Sequence, residues 1–285
     1  MTAIIFGAKG QDGIYLTELL SAKGFKVIPV NRDGIRINDL AAVSELIKKE
    51  QPRYIFHLAA NSTTRIEAWQ ENHETICTGS LNILEAVRLH SPVTKVFLSG
   101  SGLQFENNGK PIKETDPFFA GSAYSVSRIH TVYAARYYRS LGIKAYVGYF
   151  FHHDSPHRTE RHINKKISET VKRIARGSGE KLTVGDTNVK KEFGFAGDIV
   201  KAVMTLVEQD IVFEAVIGTG KAYAIEEWVD ICFSLVGLKW QEHVTTVAGF
   251  QSEYPLLVSD PATIMSLGWK HETTIHSLAK MMIEE

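Results

Sequence analysis

The chain has 285 residues, with 32 Lys plus Arg balanced by 32 Asp plus Glu, and only two cysteines. That length supports a large buried core, as one unit or as a domain joined to a smaller lobe. A formal net charge of zero excludes a global attraction to nucleic acid or to an anionic membrane. Cys77 and Cys232 fall in apolar helical patterns and read as small core residues of a reducing compartment, not as a disulfide framework.

In chain order, strand patterns are predicted at 3–6, 26–30, 54–58, 95–99 and 144–149, with helical patterns between them at 13–23, 40–50, 80–89 and 124–140. Strands rich in β-branched residues that alternate with helices predict a parallel sheet covered on both faces, an α/β fold of the Rossmann type, doubly wound. After residue 149 the alternation fades. A polar loop rich in His and Arg at 152–161 leads to a basic amphipathic helix at 163–176, a strand at 181–185 and helices at 196–208 and 225–235. Trp269 and Leu278 mark a closing segment. Residues 1–150 are therefore expected to form a dinucleotide-binding domain, and 151–285 a smaller α/β substrate lobe interleaved with it, since no linker separates them. The chain begins on a strand pattern and no apolar run reaches membrane-spanning length, so the expectation is a cytoplasmic protein.

The first strand ends in Gly7-x-x-Gly10-x-x-Gly13, followed at once by a helical pattern through Leu16, Leu19 and Leu20. Glycines at these places let the backbone turn sharply and approach a pyrophosphate, which then sits on the free N–H groups of the helix start. An ordinary tight strand-to-helix turn uses the same residues. In such sheets ligands gather at the carboxyl ends of the strands. After the second strand stands Arg32, where an acidic residue would bind the ribose hydroxyls of NAD and an arginine suits the extra phosphate of NADP; the alternative is a solvated loop arginine. The third strand ends in Leu58-Ala59-Ala60, small enough for the backbone to close on a cofactor. Ser101 follows the fourth strand, and Tyr124 and Arg128 lie four apart on one helical face. In this trio the serine would orient a carbonyl or alcohol oxygen and the tyrosine would give or take its proton. The neighbouring cation would favour the phenolate over a phenol of pKa about 10.

Together these motifs resemble the extended short-chain dehydrogenase/reductase family, and the resemblance sharpens toward its GDP-mannose 4,6-dehydratase branch. Gly10-Gln11-Asp12-Gly13-Ile-Tyr-Leu16 looks like the branch's opening, and Glu114-Thr-Asp-Pro117 like the motif ahead of its catalytic tyrosine. Phe151-His-His-Asp-Ser-Pro-His-Arg158 resembles its Phe-Asn-His-Glu-Ser-Pro-Arg-Arg loop, and Lys165-Lys166-Ile167 the Arg-Lys-Ile that follows. Residues 185–198, Val258-Ser-Asp260 and Leu267-Gly-Trp269 match later segments. The resemblance implies NADP(H) as cofactor, with NAD(H) second, held by the glycine turn with Gln11 and Asp12, by Arg32, by residues 58–60 and by Tyr124 and Arg128. It implies a nucleotide-diphosphate sugar, GDP-linked by preference, contacted by His153, Arg158, Lys166, Lys191 and Glu253, and a homodimer or homotetramer. The helix carrying the catalytic tyrosine often builds a dimer face in this family. Tyr133, Tyr137 and Tyr138 sit at helical spacing as packing residues or as part of that face.

The departures shape the functional expectation. With Ser101 on the family's catalytic Thr/Ser, the dehydratase glutamate falls on Leu103, or on Gly102 in an alternative register, and neither is a base. The family lysine is Arg128, whose rigid fork differs from an ammonium. A diphosphate arginine becomes Lys191, and a second one, ahead of the late glutamate at Glu253, becomes Phe250. The four histidines at 152, 153, 157 and 162 read as a substrate loop and not as a metal site. The expected activity is hydride transfer without dehydration, most concretely reduction of a GDP-linked 4-keto-6-deoxy sugar. A 4,6-dehydratase with another base, or a C4 epimerase, is the alternative. A catalytically weak protein that binds nucleotide sugars is the alternative of another class.

Overall fold

Apolar runs with turn residues at their ends become the strands of the first half. The structure, a computed structural model that describes residues 1–284, begins with β1 (Thr2–Phe6), α1 (Gln11–Ala22), β2 (Lys26–Val30), α2 (Leu40–Glu50) and β3 (Tyr54–His57). A continuous helical run follows, made of α3 (Trp69–Asn72), a π-helical stretch (His73–Thr78) and α4 (Gly79–His90). Then come β4 (Lys95–Ser101), α5 (Ala123–Ser140) and β5 (Ala145–Phe150). The second half contains β6 (His153–Asp154), α6 (Ile163–Ala175), β7 (Leu182–Val184), β8 (Lys190–Glu192), β9 (Gly194–Phe195), α7 (Ala196–Val207) and β10 (Glu214–Ile217). It closes with β11 (Ala222–Ala224), α8 (Ile225–Leu235), β12 (Val244–Thr246), β13 (Leu256–Leu257), α9 (Ala262–Ser266) and α10 (Ile275–Glu284).

The central sheet has six parallel strands in the order β2-β1-β3-β4-β5-β10. Its inner strands are buried on both sides, and their period of two divides the core. In β1, Ile4 and Phe6 pack with Val43, Ile47, Leu84 and Val132 of α2, α4 and α5, whereas Ala3 and Ile5 pack with Leu16, Leu20 and Val203 of α1 and α7. A third cluster around Trp228, Phe193, Val171 and Leu278 joins α6, α8 and α10 in the second half of the chain. There Glu192, fully buried, accepts from the backbone N–H and hydroxyl groups of both Thr219 and Ser259 and stitches β8 to the segments after β10 and β13.

Several predicted ends move. The first helix opens at Gln11, not 13, because Gly10 is its extended N-cap (φ −74°, ψ 161°). The helix expected at 80–89 is the end of a longer run that starts at Trp69; the π-helical turns shift its face and hide the 3.6-residue period. β4 runs on to Ser101, and β10, only four residues long, joins the main sheet without a sequence signal.

Strands β2 and β3 lie on opposite sides of β1. The chain therefore reverses its winding there, and a crevice opens at the carboxyl ends of β1 and β3, where open α/β sheets hold their ligands.

Candidate active site

Two adjoining cavities occupy that end of the sheet. The first, of about 620 Å³, runs over the glycine turn to the end of β2 and takes in Gly7, Gly10, Arg32 and Leu58-Ala59-Ala60. Gly7 has φ +91°, and a Cβ there would lie 2.7 Å from the Ala59 backbone nitrogen. A Cβ on Gly13 would lie 2.4 Å from the Gly7 carbonyl oxygen. These are places where only glycine lets two backbones touch. No side chain caps the start of α1, so its first N–H groups remain free for an anion. Arg32, largely exposed, pairs with Glu71, Lys9 pairs with Asp33 at 2.6 Å, and Arg36 lines the same wall. A glycine cradle and an uncapped helix start fit the diphosphate of a dinucleotide; of the three cations at the far end, Arg32 and Lys9 are paired with carboxylates.

Gln11 and Asp12 face the other way. The Gln11 amide donates to the His153 carbonyl at 3.1 Å and accepts from Ser155 at 3.0 Å. The His153 ring places Nδ1 on the Phe151 carbonyl at 2.7 Å and Nε2 on Asp12 at 2.9 Å. With Asp12 ionised both partners are acceptors, an arrangement that favours the doubly protonated imidazolium. Burial opposes that charge, and the Asp12 carboxylate outweighs it, raising the pKa of His153. The start of α1 is thus tied to the loop after β5.

The second cavity, of about 300 Å³, holds Ser101, Leu103, Tyr124 and Arg128 on one side and His152, Arg158, His162 and Glu253 on the other. Ser101 ends β4 and caps a short 3-10 turn: its Oγ accepts from the Leu103 N–H at 3.2 Å, and its own N–H donates to the Gln104 side chain at 2.8 Å. This reciprocal cap fixes Ser101 and leaves its hydroxyl proton for a ligand. Tyr124 and Arg128 project from the first turns of α5, which Ser122 caps through the Ser125 N–H at 3.1 Å. The Arg128 guanidinium carbon lies 5.1 Å from the Tyr124 ring centre. Beside it His57 is kept neutral, down to about 3, by burial and by the Arg128 charge.

On the opposite side Arg158 reaches Asp154 at 3.5 Å and donates to the His162 Nδ1 at 3.2 Å. Burial and the Arg158 charge hold His162 down to about 4. Burial, with Lys191 and Arg158 beside it, also keeps His152 neutral. Lys191 is buried, and that burial lowers it to about 8. Two cations therefore stand against the single carboxylate of Asp154, a surplus suited to an anionic group such as a diphosphate. Glu253 accepts the Thr64 hydroxyl across the cavity mouth.

The resemblance places Lys166 on the substrate, but its ammonium sits on the Thr183 carbonyl at 2.9 Å, outside the cavity. Its neighbour Lys165 points inward and pairs with Glu169 at 2.7 Å. His153, Gln11 and Asp12 form a tether and not a row of free ligand contacts. Phe250 covers Gly185 from solvent, half-exposed itself. Sequence reasoning misses Gln104, Ser99 and Tyr254 as site residues; only Gln104 has a signal, the Ser101-x-x-Gln104 capping pattern.

The arrangement matches known proteins along nearly its whole length. The family model described as GDP-mannose 4,6 dehydratase matches residues 34–282. GDP-mannose 4,6 dehydratase 1 of Arabidopsis thaliana is 30% identical over 99% of this chain and 89% of its own. Among solved structures, RMD from Pseudomonas aeruginosa complexed with NADPH superposes with a TM-score of 0.87 at 20% identity, over 99% of this chain and 96% of its own. The UDP-glucose 4-epimerase of Thermotoga maritima with UDP-glucose gives 0.89 at 21% identity, over 100% of this chain and 98% of its own. With the glycine crevice, the Ser-Tyr-Arg floor and the basic loop in place, the chain belongs to the GDP-mannose 4,6-dehydratase family of nucleotide-sugar enzymes.

Proposed function

We propose that the protein reduces a GDP-linked 4-keto-6-deoxy sugar with NADPH. One observation carries this reading: Ser101, Tyr124, Arg128 and Leu103 share one cavity. The proton-transfer parts stand together, and the position resembling the dehydratase glutamate is a hydrocarbon. The carboxylates that do line the cavity are engaged, Asp12 by His153 and Glu253 by Thr64.

The cofactor's diphosphate would lie on the glycine turn and the start of α1, with Arg32 and Arg36 near its adenosine phosphate. When bound, NADPH supplies the hydride. Ser101, its Oγ already accepting from Leu103 N–H, keeps its proton and donates a hydrogen bond that orients the C4 oxygen. Tyr124 delivers the proton that completes the alcohol, and Arg128 supports the phenolate left behind while holding the nicotinamide ribose. Arg158, with the Lys191 charge behind it, takes the sugar nucleotide's diphosphate. The exposed stripe of α5, Val126, Tyr133 and Tyr137 at 51%, 59% and 62% exposure, takes a second copy of the chain; Tyr137→Glu would then halve the mass seen by sedimentation.

The test is NADPH consumption by the purified protein offered GDP-4-keto-6-deoxymannose, with a control lacking the sugar. Loss of NADPH absorbance with a GDP-deoxyhexose product supports the reading. Conversion of GDP-mannose into a 4-keto product, with no consumption of NADPH, would instead establish a dehydratase. The names of the curated relatives favour that second reading.

A further inference from the structure

Arg128 stands where the resemblance places a lysine, and an arginine is longer, flat and directional. Its placement is set by one neighbour. The Arg128 Nη1 donates to the Ser99 carbonyl oxygen and, at 2.9 Å, to the Ser99 hydroxyl. That hydroxyl donates its own proton to the His57 carbonyl at 3.0 Å, so its lone pairs are turned to the guanidinium. Ser99 and Arg128 are both buried, at 2% and 4% exposure. The Nε–H is sealed from solvent with no partner, and Nη2 makes no hydrogen bond to the described residues.

We propose that Ser99 is the positioning residue that makes an arginine serviceable at position 128. Two acceptors on one nitrogen fix the plane of a rigid guanidinium. That plane carries Arg128 beneath the Tyr124 ring and leaves Nη2, the end without a protein partner, for the ribose of the cofactor. An ammonium needs no such clamp, since its donors rotate about a point charge. Ser99 acts only through Arg128, and the inference rests on Arg128 holding the ribose, as put forward above.

The experiment measures NADPH dissociation constants by cofactor fluorescence on the purified full chain in four forms: wild type, Ser99→Ala, Arg128→Lys and the double variant. A hydrogen bond to a charged group predicts that Ser99→Ala weakens NADPH binding by about 10- to 100-fold beside Arg128. In the Arg128→Lys background the same change leaves affinity within about twofold of that single variant, because there is no fork to aim. Ser99→Thr, which keeps the hydroxyl, stays close to wild type, and Ser99→Val, of the same shape, behaves like Ser99→Ala. The Thr and Val pair decides the matter if the alanine variant does not fold. Equal weakening in both backgrounds would assign Ser99 to general packing and overturn the proposal, as would no weakening in either. A wild type that binds no NADPH overturns the cofactor reading and this proposal together, whereas tight binding indifferent to Ser99 overturns this proposal alone.

Discussion

Replacing Asp12 with Asn keeps the side chain's shape and one acceptor for the His153 Nε2–H, but removes the charge that holds the imidazolium. In the wild type the two groups lie 2.9 Å apart with side chains 19% and 8% exposed. Removing one partner of a fully buried pair costs about 3–5 kcal/mol. Here Asn retains the hydrogen bond and His153 can shed its proton, so a loss of about 1–3 kcal/mol is expected at pH 5.5. For a chain of this size that lowers the melting temperature by about 2–5 °C.

The pH dependence gives the sharper test. Burial works to lower His153, but the Asp12 carboxylate outweighs it and raises the histidine above 6.5. Its contribution is therefore complete below 6.5 and fades as pH climbs through the raised value. Burial works to raise Asp12, but the His153 charge and hydrogen bond hold it below 3.8. Its contribution is present above 3.8 and fades as pH falls through the depressed value. The gap between wild type and Asp12→Asn should be widest between about pH 4 and 6.5 and should narrow as pH climbs through the raised His153 value. Thermal melts of both proteins in a pH series upward from about 5.5 decide it. No gap at any pH in the series would mean that the charge on Asp12 contributes nothing, and the tether argument would fall.

Tyr124→Phe should lower kcat by about 10²- to 10⁴-fold, the range for loss of a positioned proton donor, while NADPH affinity changes by no more than a few-fold; unchanged turnover would remove Tyr124 from the reaction. Arg32→Glu should weaken NADPH about tenfold or more and NADH far less, as titration of both cofactors would reveal; equal losses would leave Arg32 a surface arginine paired with Glu71. Gly7→Ala must place a Cβ 2.7 Å from the Ala59 nitrogen at φ +91°, which should cost about 1–3 kcal/mol and more for the clash. A melting temperature equal to wild type would show that the crevice wall yields.

The parts of this protein that could be read from its sequence are those whose physics is local. The run Ala3-Ile-Ile-Phe6 ending on Gly7 makes a strand and a tight turn with little help from elsewhere, and Tyr124 and Arg128 share a face because helical spacing demands it. Gln11 and Asp12 sit in a motif that resembles a cofactor turn, yet their side chains reach His153 and its carbonyl, 141 and 142 residues away, and no periodicity encodes that distance. Lys165 and Lys166 are adjacent on α6, so one helical step of about 100° decides which faces the lobe. The core cluster around Val171 and Trp228 turns Lys165 inward and leaves Lys166 on the rim. The same reasoning applies at the floor of the site. Read alone, Arg128 is a departure that puts catalysis in doubt. Read with Ser99, it is half of a pair whose second member lies 29 residues earlier at the end of β4. A substitution at a catalytic position is therefore better judged by what its new side chain is tied to than by its distance from the expected residue type. By that criterion Leu103 differs from Arg128: a hydrocarbon cannot accept a proton and is tied to nothing, while the carboxylates lining the same cavity, Asp12 and Glu253, are engaged by His153 and Thr64.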